Sequence, residues 1–77
     1  MIRILLSTRL GERRWTQAKL AEKTGIRKAT INEIYNELTD KVRISDLDKI
    51  CWVLECDLDD LLARDGTNPF EDHTGKA

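Results

Sequence analysis

Residues 15–36 read WTQAKLAEKTGIRKATINEIYN, a pattern typical of two short helices separated by one glycine. Thr16 suits the N-cap of the first helix, because its hydroxyl can accept a backbone N–H of the first turn. Leu20 and Ala21 then share one face of that helix. Gly25 ends it, since glycine adopts the left-handed conformation at low cost. The pattern predicts a helix over residues 16–24.

The second helix of this stretch is predicted over residues 27–36. Ile26 precedes it as an apolar plug, and Ile31 and Ile34, three residues apart, give it a narrow inner face. Its other face carries a mixture of charged, amide and small side chains, namely Lys28, Ala29, Asn32, Glu33 and Tyr35. We expect this outer face to contact a partner.

The charges divide the chain into a basic and an acidic half. Residues 1–43 contain ten Lys or Arg against five Asp or Glu, whereas residues 44–77 contain three against nine, although the net charge is only −1. A polyanion responds to the local surface, because salt screens charges beyond about 8 to 10 Å. The basic half includes both predicted helices, which favours an anionic partner.

The length of 77 residues indicates one domain, near the lower limit for a core closed without disulfides or metal. The content of 40% hydrophobic and 35% charged residues is typical of a small folded helical domain. No apolar run approaches the roughly 20 residues of a membrane helix, and the N-terminal MIRILL is too short for a signal peptide. We therefore expect a cytoplasmic protein without a membrane partner.

A first helix is predicted from Ile2 to Glu12 or Arg13. Its inner stripe consists of the apolar residues at positions 2, 5, 6 and 10, and arginines cover the remaining surface. Trp15 is expected to turn inward after this helix. Residues 37–44 lose the helical period and contain turn formers, which predicts a loop with positive charges.

Two further helices are predicted in the second half. Ser45 opens the fourth, with Asp46 in its first turn, and its inner stripe is Leu47, Ile50, Cys51 and Leu54. Asp57 caps a short fifth helix with Asp60 in a capping-box spacing, and this helix should end near Arg64. We thus predict an all-α body of five helices over residues 1–64, followed by a flexible polar tail over residues 65–77.

The sequence favours a binding protein over an enzyme. Cys51 and Cys56 lie five apart, which matches neither a redox pair nor a zinc site, so we interpret both as small packing residues. His73 is the single histidine and falls in the tail. No nucleophile triad and no glycine-rich phosphate loop is present. We expect no catalytic residues, no metal and no cofactor.

The chain resembles the Cro/C1-type helix-turn-helix family, also called Xre-like or phage-repressor-like, over about residues 4–63. The matching signature is Thr16, Gln17, Leu20, Ala21, Gly25, Ile26 and Ile31. Downstream matches are Leu47, Ile50, Leu54, Asp60, Leu61 and Leu62. The resemblance implies a compact five-helix lambda-repressor-like domain that binds double-stranded DNA, with helix 3 in the major groove and helix 2 across the backbone.

The resemblance also implies site residues. The positions expected to read base edges are Lys28, Ala29, Asn32 and Glu33. The residues expected to contact the DNA backbone are Arg14, Thr16, Gln17, Arg27, Asn36, Lys41 and Arg43. The chemistry is compatible, since Lys can donate to guanine, Asn can pair with adenine and Glu can accept from cytosine. Two arginines depart from the family pattern, Arg14 at a common glycine position and Arg27 at a common Ser or Thr N-cap.

Alternatives remain for two surfaces. The outer face of helix 3 would, without its flanking signature, be an ordinary solvated surface. In the apolar run from Ile50 to Leu54, either Trp52 or Val53 should face outward, and Trp52 could cover the junction of helices 4 and 5 or form a dimer contact. The residues considered for such a contact are Trp52, Leu58, Leu62 and Phe70.

These observations lead to the hypothesis of a small transcriptional regulator, most simply a repressor, that acts as a homodimer. The alternative is a protein-interaction module, such as the antitoxin or adaptor half of a protein pair. In that case, the acidic half would bind a basic protein partner, such as a toxin or another regulator.

Overall fold

The computed structural model describes residues 1–68 and Phe70, in which five helices and two short strands follow one another. These elements are β1 (Ile2–Ile4), α1 (Leu6–Arg13), α2 (Gln17–Thr24), α3 (Lys28–Tyr35), α4 (Ile44–Leu54), α5 (Leu58–Leu61) and β2 (Leu62–Arg64). The predicted fold class of five short helices is confirmed, with a small sheet in addition. No helix among the described residues is long and apolar enough to cross a membrane.

One apolar core joins all five helices. Its buried residues are Leu6, Leu10, Leu20, Ala21, Ile26, Ile31, Ile34, Ile50, Leu54 and Leu61. In α1, α3 and α4 the buried residues are three or four apart, because that spacing places them on one face. Trp15 packs partly buried against this core, as the sequence predicts, and Val53 does so while Trp52 faces outward.

The N-terminal segment is a strand, so the prediction of a helix from Ile2 is wrong. Ile2, Arg3 and Ile4 pair antiparallel with Arg64, Ala63 and Leu62, respectively. α1 begins only at Leu6 and ends at Arg13, where its end was predicted. The β-branched isoleucines favour a strand. However, the partner strand lies some sixty residues away, so the hydrophobic period of the N-terminal segment does not indicate the pairing.

The same pairing corrects the end of the fifth helix. α5 stops at Leu61, because Leu62 takes an extended backbone and begins β2, so the predicted extension towards Arg64 is wrong. The predicted capping box is present, with the Asp60 carboxylate accepting the Asp57 N–H at 3.0 Å. Hydrogen bonds flank the sheet, from the Leu5 N–H to the Leu61 carbonyl (2.7 Å) and from the Asp65 N–H to the Met1 carbonyl (3.0 Å).

The start of α4 differs from the prediction by one residue. The helix begins at Ile44, so Ser45 lies inside its first turn and Arg43 takes the N-cap position without a side-chain cap. Asp46 lies in the first turn as predicted, where the helix dipole favours a negative charge. At the other end, the Arg13 guanidinium donates to the Leu54 carbonyl and so ties α1 to α4.

A bidentate ion pair joins β1 to the segment that follows α3. Arg3 Nε and Nη2 donate to the two carboxylate oxygens of Glu37 at 2.7 and 2.8 Å, and the Ile4 N–H donates to the same carboxylate at 3.0 Å. Glu37 adopts a left-handed backbone with φ 55°. The hydrogen bond from Arg3, followed by that from the Ile4 backbone, lowers the pKa of Glu37 to about 2.

This ion pair predicts a specific pH dependence of stability. Because the pKa of Glu37 is lower in the folded state, its ionised form stabilises the fold above the ordinary glutamate pKa. That contribution is lost as the pH falls through about 2. Glu37→Gln should therefore destabilise the protein near neutral pH, with a difference from wild type that shrinks towards pH 2. Denaturant unfolding across this pH range measures the difference.

Glu12→Gln provides the control, because the exposed Glu12 pairs with the partly buried Arg9 through a single 3.3 Å contact within α1. Pairs within one helix near the surface contribute little to stability. A difference between Glu37→Gln and wild type that stays constant with pH would contradict the assignment to the Glu37 carboxylate.

Candidate nucleic-acid interface

A tight turn sets the geometry of α2 and α3. Gly25 has φ 76° and donates its N–H to the Ala21 carbonyl at 2.9 Å. The Thr24 hydroxyl donates to the Leu20 carbonyl at 2.7 Å and accepts the Ile26 N–H at 3.2 Å. Ile26 is buried in the core. The turn is therefore closed by hydrogen bonds on one side and anchored by an apolar side chain on the other.

The N-terminus of α2 is capped as the sequence predicts. The Thr16 hydroxyl accepts the Lys19 N–H at 3.1 Å, which satisfies one of the free donors of the first turn. Arg14, two residues earlier, has φ 55°, so it adopts the left-handed conformation that glycine usually supplies at a helix end. Lys19 Nζ lies 4.5 Å from the centre of the Trp15 ring, a cation–π contact that the sequence reasoning missed.

The four predicted base-reading residues share one exposed face of α3. Ile31 and Ile34 hold the opposite face in the core. The exposed residues are Lys28, Ala29, Asn32 and Glu33. With eight residues, the helix is roughly 12 Å long, comparable to the width of about 12 Å of the major groove.

A hydrogen bond links the two helices on this face. Asn32 Nδ2 donates to Gln17 Oε1 at 3.2 Å, so the first residue of α2 holds the amide at the centre of α3. The Asn32 amide retains its oxygen and a second N–H for an outside partner. Asn36 Nδ2 donates to the Asn32 carbonyl at 3.0 Å, which stabilises the last turn of α3.

Several cations line a polar groove of about 410 Å³ between the start of α3 and the start of α4. Three of them, Arg27, Lys41 and Arg43, are predicted backbone contacts. The fourth, Lys49, was missed, although its spacing of three from Asp46 places both residues on one face of α4. Arg27 and Arg43 both occupy N-cap positions, and neither side chain forms a capping hydrogen bond.

The predicted dimer-contact residues are only partly brought together. Trp52 and Leu58, 77% and 52% exposed, lie around a groove of about 660 Å³ between α4 and α5. We call this the α4–α5 groove. Ile44, 84% exposed, also lines it and was missed. Leu62 instead lies in β2 and lines a different groove beneath β1, and Phe70 is exposed.

The acidic residues around α5 have a structural explanation. The carboxylates of Asp57, Asp59 and Asp60 lie within 4.8 Å of one another. Asp57 and Asp60 form the capping box, and Asp59 lies in the first turn, where the helix dipole favours negative charge. His73 lies outside the described residues.

Two short helices joined by a tight turn, the second with an exposed polar face and with cations around its start, define a helix-turn-helix DNA-binding domain. A family model described as the Cro/C1-type HTH DNA-binding domain matches residues 6–66. The chain belongs to this family, as the sequence predicts, and is a DNA-binding transcription regulator. No curated protein and no solved structure was found with significant similarity to it.

Proposed function

We propose that this protein is a cytoplasmic repressor that binds double-stranded DNA sequence-specifically as a homodimer, with α3 in the major groove. The observation that supports this most directly is the Gln17–Asn32 hydrogen bond, because it fixes a polar side chain at the centre of an otherwise exposed helix face. An amide held in this way is ready to pair with a base edge before DNA arrives.

In this proposal, Lys28, Ala29, Asn32 and Glu33 read base edges. Asn32 pairs with adenine, Lys28 donates to guanine, and the Ala29 methyl contacts thymine. Glu33 lines the same polar groove as Arg27 and Lys41, so neighbouring cations offset its repulsion from phosphate. It can then accept a hydrogen bond from cytosine.

The backbone contacts fall at two places. Arg14, Thr16 and Gln17 lie around the start of α2, and Asn36 lies at the end of α3. Around the polar groove, Arg27, Lys41 and Arg43 offer positive charge, and we add Lys49 to them. Each phosphate neutralised should change the slope of log affinity against log salt by about −0.9. Repression is the simplest outcome, because a protein bound at an operator excludes others without further contacts.

The homodimer is proposed to form through the α4–α5 groove, because Trp52, Leu58 and Ile44 are exposed there together. Trp52→Ala should weaken self-association by about tenfold, since buried indoles dominate many interfaces. The helix should stay folded, because this side chain is 77% exposed. Sedimentation equilibrium measures the change.

Leu38→Ala is the matched control, because Leu38 is 73% exposed but does not line the α4–α5 groove. Equal dissociation constants for wild type and Trp52→Ala would show that the dimer, if present, uses another surface. Leu62 and Phe70, the other predicted contacts, would then be the next positions to change.

Selection of bound sites from a random duplex pool tests the proposed function. We expect an inverted repeat with half-sites about 10 base pairs apart, or a multiple of that distance. Enrichment of a single half-site would retain sequence reading but contradict the homodimer. Failure to enrich any sequence at low salt would contradict sequence-specific binding.

A second candidate function is the antitoxin or adaptor half of a protein pair. The acidic residues Asp48, Glu55 and Asp57 around the α4–α5 groove favour it, because they could attract a basic protein. Co-purification of a basic protein together with failure to bind any duplex would support this alternative over the repressor.

A further inference from the structure

The C-terminus of α4 brings the two cysteines of the chain together. Glu55 is left-handed, with φ 53° and ψ 48°. Its N–H donates to the Trp52 carbonyl at 3.3 Å, and the Cys56 N–H donates to the Cys51 carbonyl at 3.0 Å. This pair of bonds is a Schellman motif, which is frequently accompanied by a contact between the side chain after the left-handed residue and the side chain five positions before it. Here, both side chains end in a thiol, and the two thiols lie within hydrogen-bonding distance of each other.

The surroundings of the two thiols support their proximity. Both are free, partly buried and exposed to the α4–α5 groove. Burial and, to a smaller extent, the neighbouring Cys56 side chain together raise the pKa of the Cys51 thiol to about 11. In the monomer, the α4–α5 groove gives a small oxidant access to both thiols. The six-residue ring closed by the Cys56 N–H keeps the two side chains next to each other.

We propose that Cys51 and Cys56 are a thiol modification site that forms a reversible intrachain disulfide in response to a peroxide. The spacing of five residues, which matches no common redox motif, is the spacing at which a Schellman motif places two side chains in contact. The site is separate from the exposed face of α3 and does not depend on DNA binding.

The reaction balances with hydrogen peroxide as the oxidant. The Cys56 thiol loses its proton, and the thiolate attacks one peroxide oxygen. The O–O bond breaks, a sulfenic acid is formed, and the hydroxide released takes up the proton from Cys56 as the first water. The Cys51 sulfur, as it loses its proton, then attacks the Cys56 sulfur, the S–O bond breaks, and the hydroxide released takes up that proton as a second water. Two thiols have lost two electrons and two protons, and the peroxide has been reduced.

The order of attack follows from the environment of Cys51. Because the pKa of this thiol is raised to about 11, it is mainly protonated near neutral pH and supplies little thiolate for the first step. Cys51 instead acts as the resolving thiol. Its fixed position beside Cys56 gives it a high local concentration, which compensates for its low thiolate fraction.

The test is oxidation of the full-length chain by hydrogen peroxide, followed by thiol alkylation and intact mass spectrometry. We expect both alkylatable thiols to disappear together, with a mass lower by two hydrogen atoms, and dithiothreitol to restore both. The folded chain should form this bond faster than the urea-unfolded chain, because only the folded state has the Schellman geometry.

Cys51→Ser and Cys56→Ser are the matched variants. Cys51→Ser should accumulate a sulfenic acid on Cys56, which a dimedone probe would detect, and neither variant should form the intrachain bond. Independent loss of the two thiols in the wild type, added oxygen without the mass loss, or equal rates in the folded and unfolded chains would each overturn the proposal.

Discussion

Ile31→Ala is expected to destabilise the folded protein by about 2–5 kcal/mol, the usual cost of truncating a buried isoleucine. Ile31 has no solvent exposure and lies on the inner face of α3, directly behind the proposed base-reading face. For 77 residues, typical stabilities amount to roughly 4–12 kcal/mol. One residue would therefore remove a large part of the total. Urea unfolding followed by circular dichroism measures the loss.

The cost should follow the volume removed at this position. Ile31→Val deletes one methyl group and should cost only about 0.5–1.5 kcal/mol. Ala29→Ser, on the exposed side of the same helix, should change stability by less than about 0.5 kcal/mol. If Ile31→Ala cost no more than Ala29→Ser, Ile31 would not lie in the core, and the assignment of the two faces of α3 would be wrong.

The helices could be predicted because their signals are local. Thr16 and Gly25 mark the two ends of α2, and an apolar spacing of three identifies the inner face of α3, so these boundaries agree with the structure within one residue. The same holds for α4, where the prediction misses the start by one residue. A capping residue and a period of 3.6 need no knowledge of distant parts of the chain.

The sheet could not be predicted in this way. The composition of the Ile2–Ile4 segment suits either a buried helix turn or a strand. Which of the two it adopts depends on its pairing with Leu62–Arg64. The role of Glu37 is equally non-local. From the sequence, Glu37 is only the first residue of a predicted loop, whereas in the structure its carboxylate accepts hydrogen bonds from Arg3 and the Ile4 N–H.

The helical period predicts which side chains α3 exposes, but not which neighbouring elements lie beside them. The helical period alone places Lys28 and Asn32 on one face, and the structure agrees. Periodicity could not indicate that Lys49 joins the cations of the polar groove, because that depends on how α4 packs beside α3. For the same reason, Leu62 was grouped with Trp52, although its strand carries it to another surface.

The hydrogen bond between α2 and α3 sharpens the roles proposed for its two residues. Gln17 accepts from Asn32 at 3.2 Å, so it is proposed to position the reading amide as well as to contact a phosphate. Gln17→Ala would leave the Asn32 amide present but less restrained. We therefore expect it to reduce the preference for the selected sequence less than removal of the Asn32 amide does.

Asn32→Ala should cost about 1–3 kcal/mol of binding free energy at one base pair, or about 5- to 150-fold in affinity for the selected site. The reason is that an amide paired with adenine makes two hydrogen bonds that alanine cannot replace. Fluorescence anisotropy with the selected duplex and with a single-base variant measures the effect. Asn32→Ala should bind the two duplexes with more similar affinity than the wild type does.

Arg43→Ala is the matched control for this measurement, because Arg43 lies in the polar groove and is proposed to contact only phosphate. It should weaken binding to selected and random duplexes alike and make the salt slope shallower by about 0.9. Asn32→Ala should leave that slope unchanged, since an amide displaces no counterion. If Asn32→Ala instead weakened binding to both duplexes equally, Asn32 would not read a base. Another residue on the exposed face of α3 would then have to make the base contact.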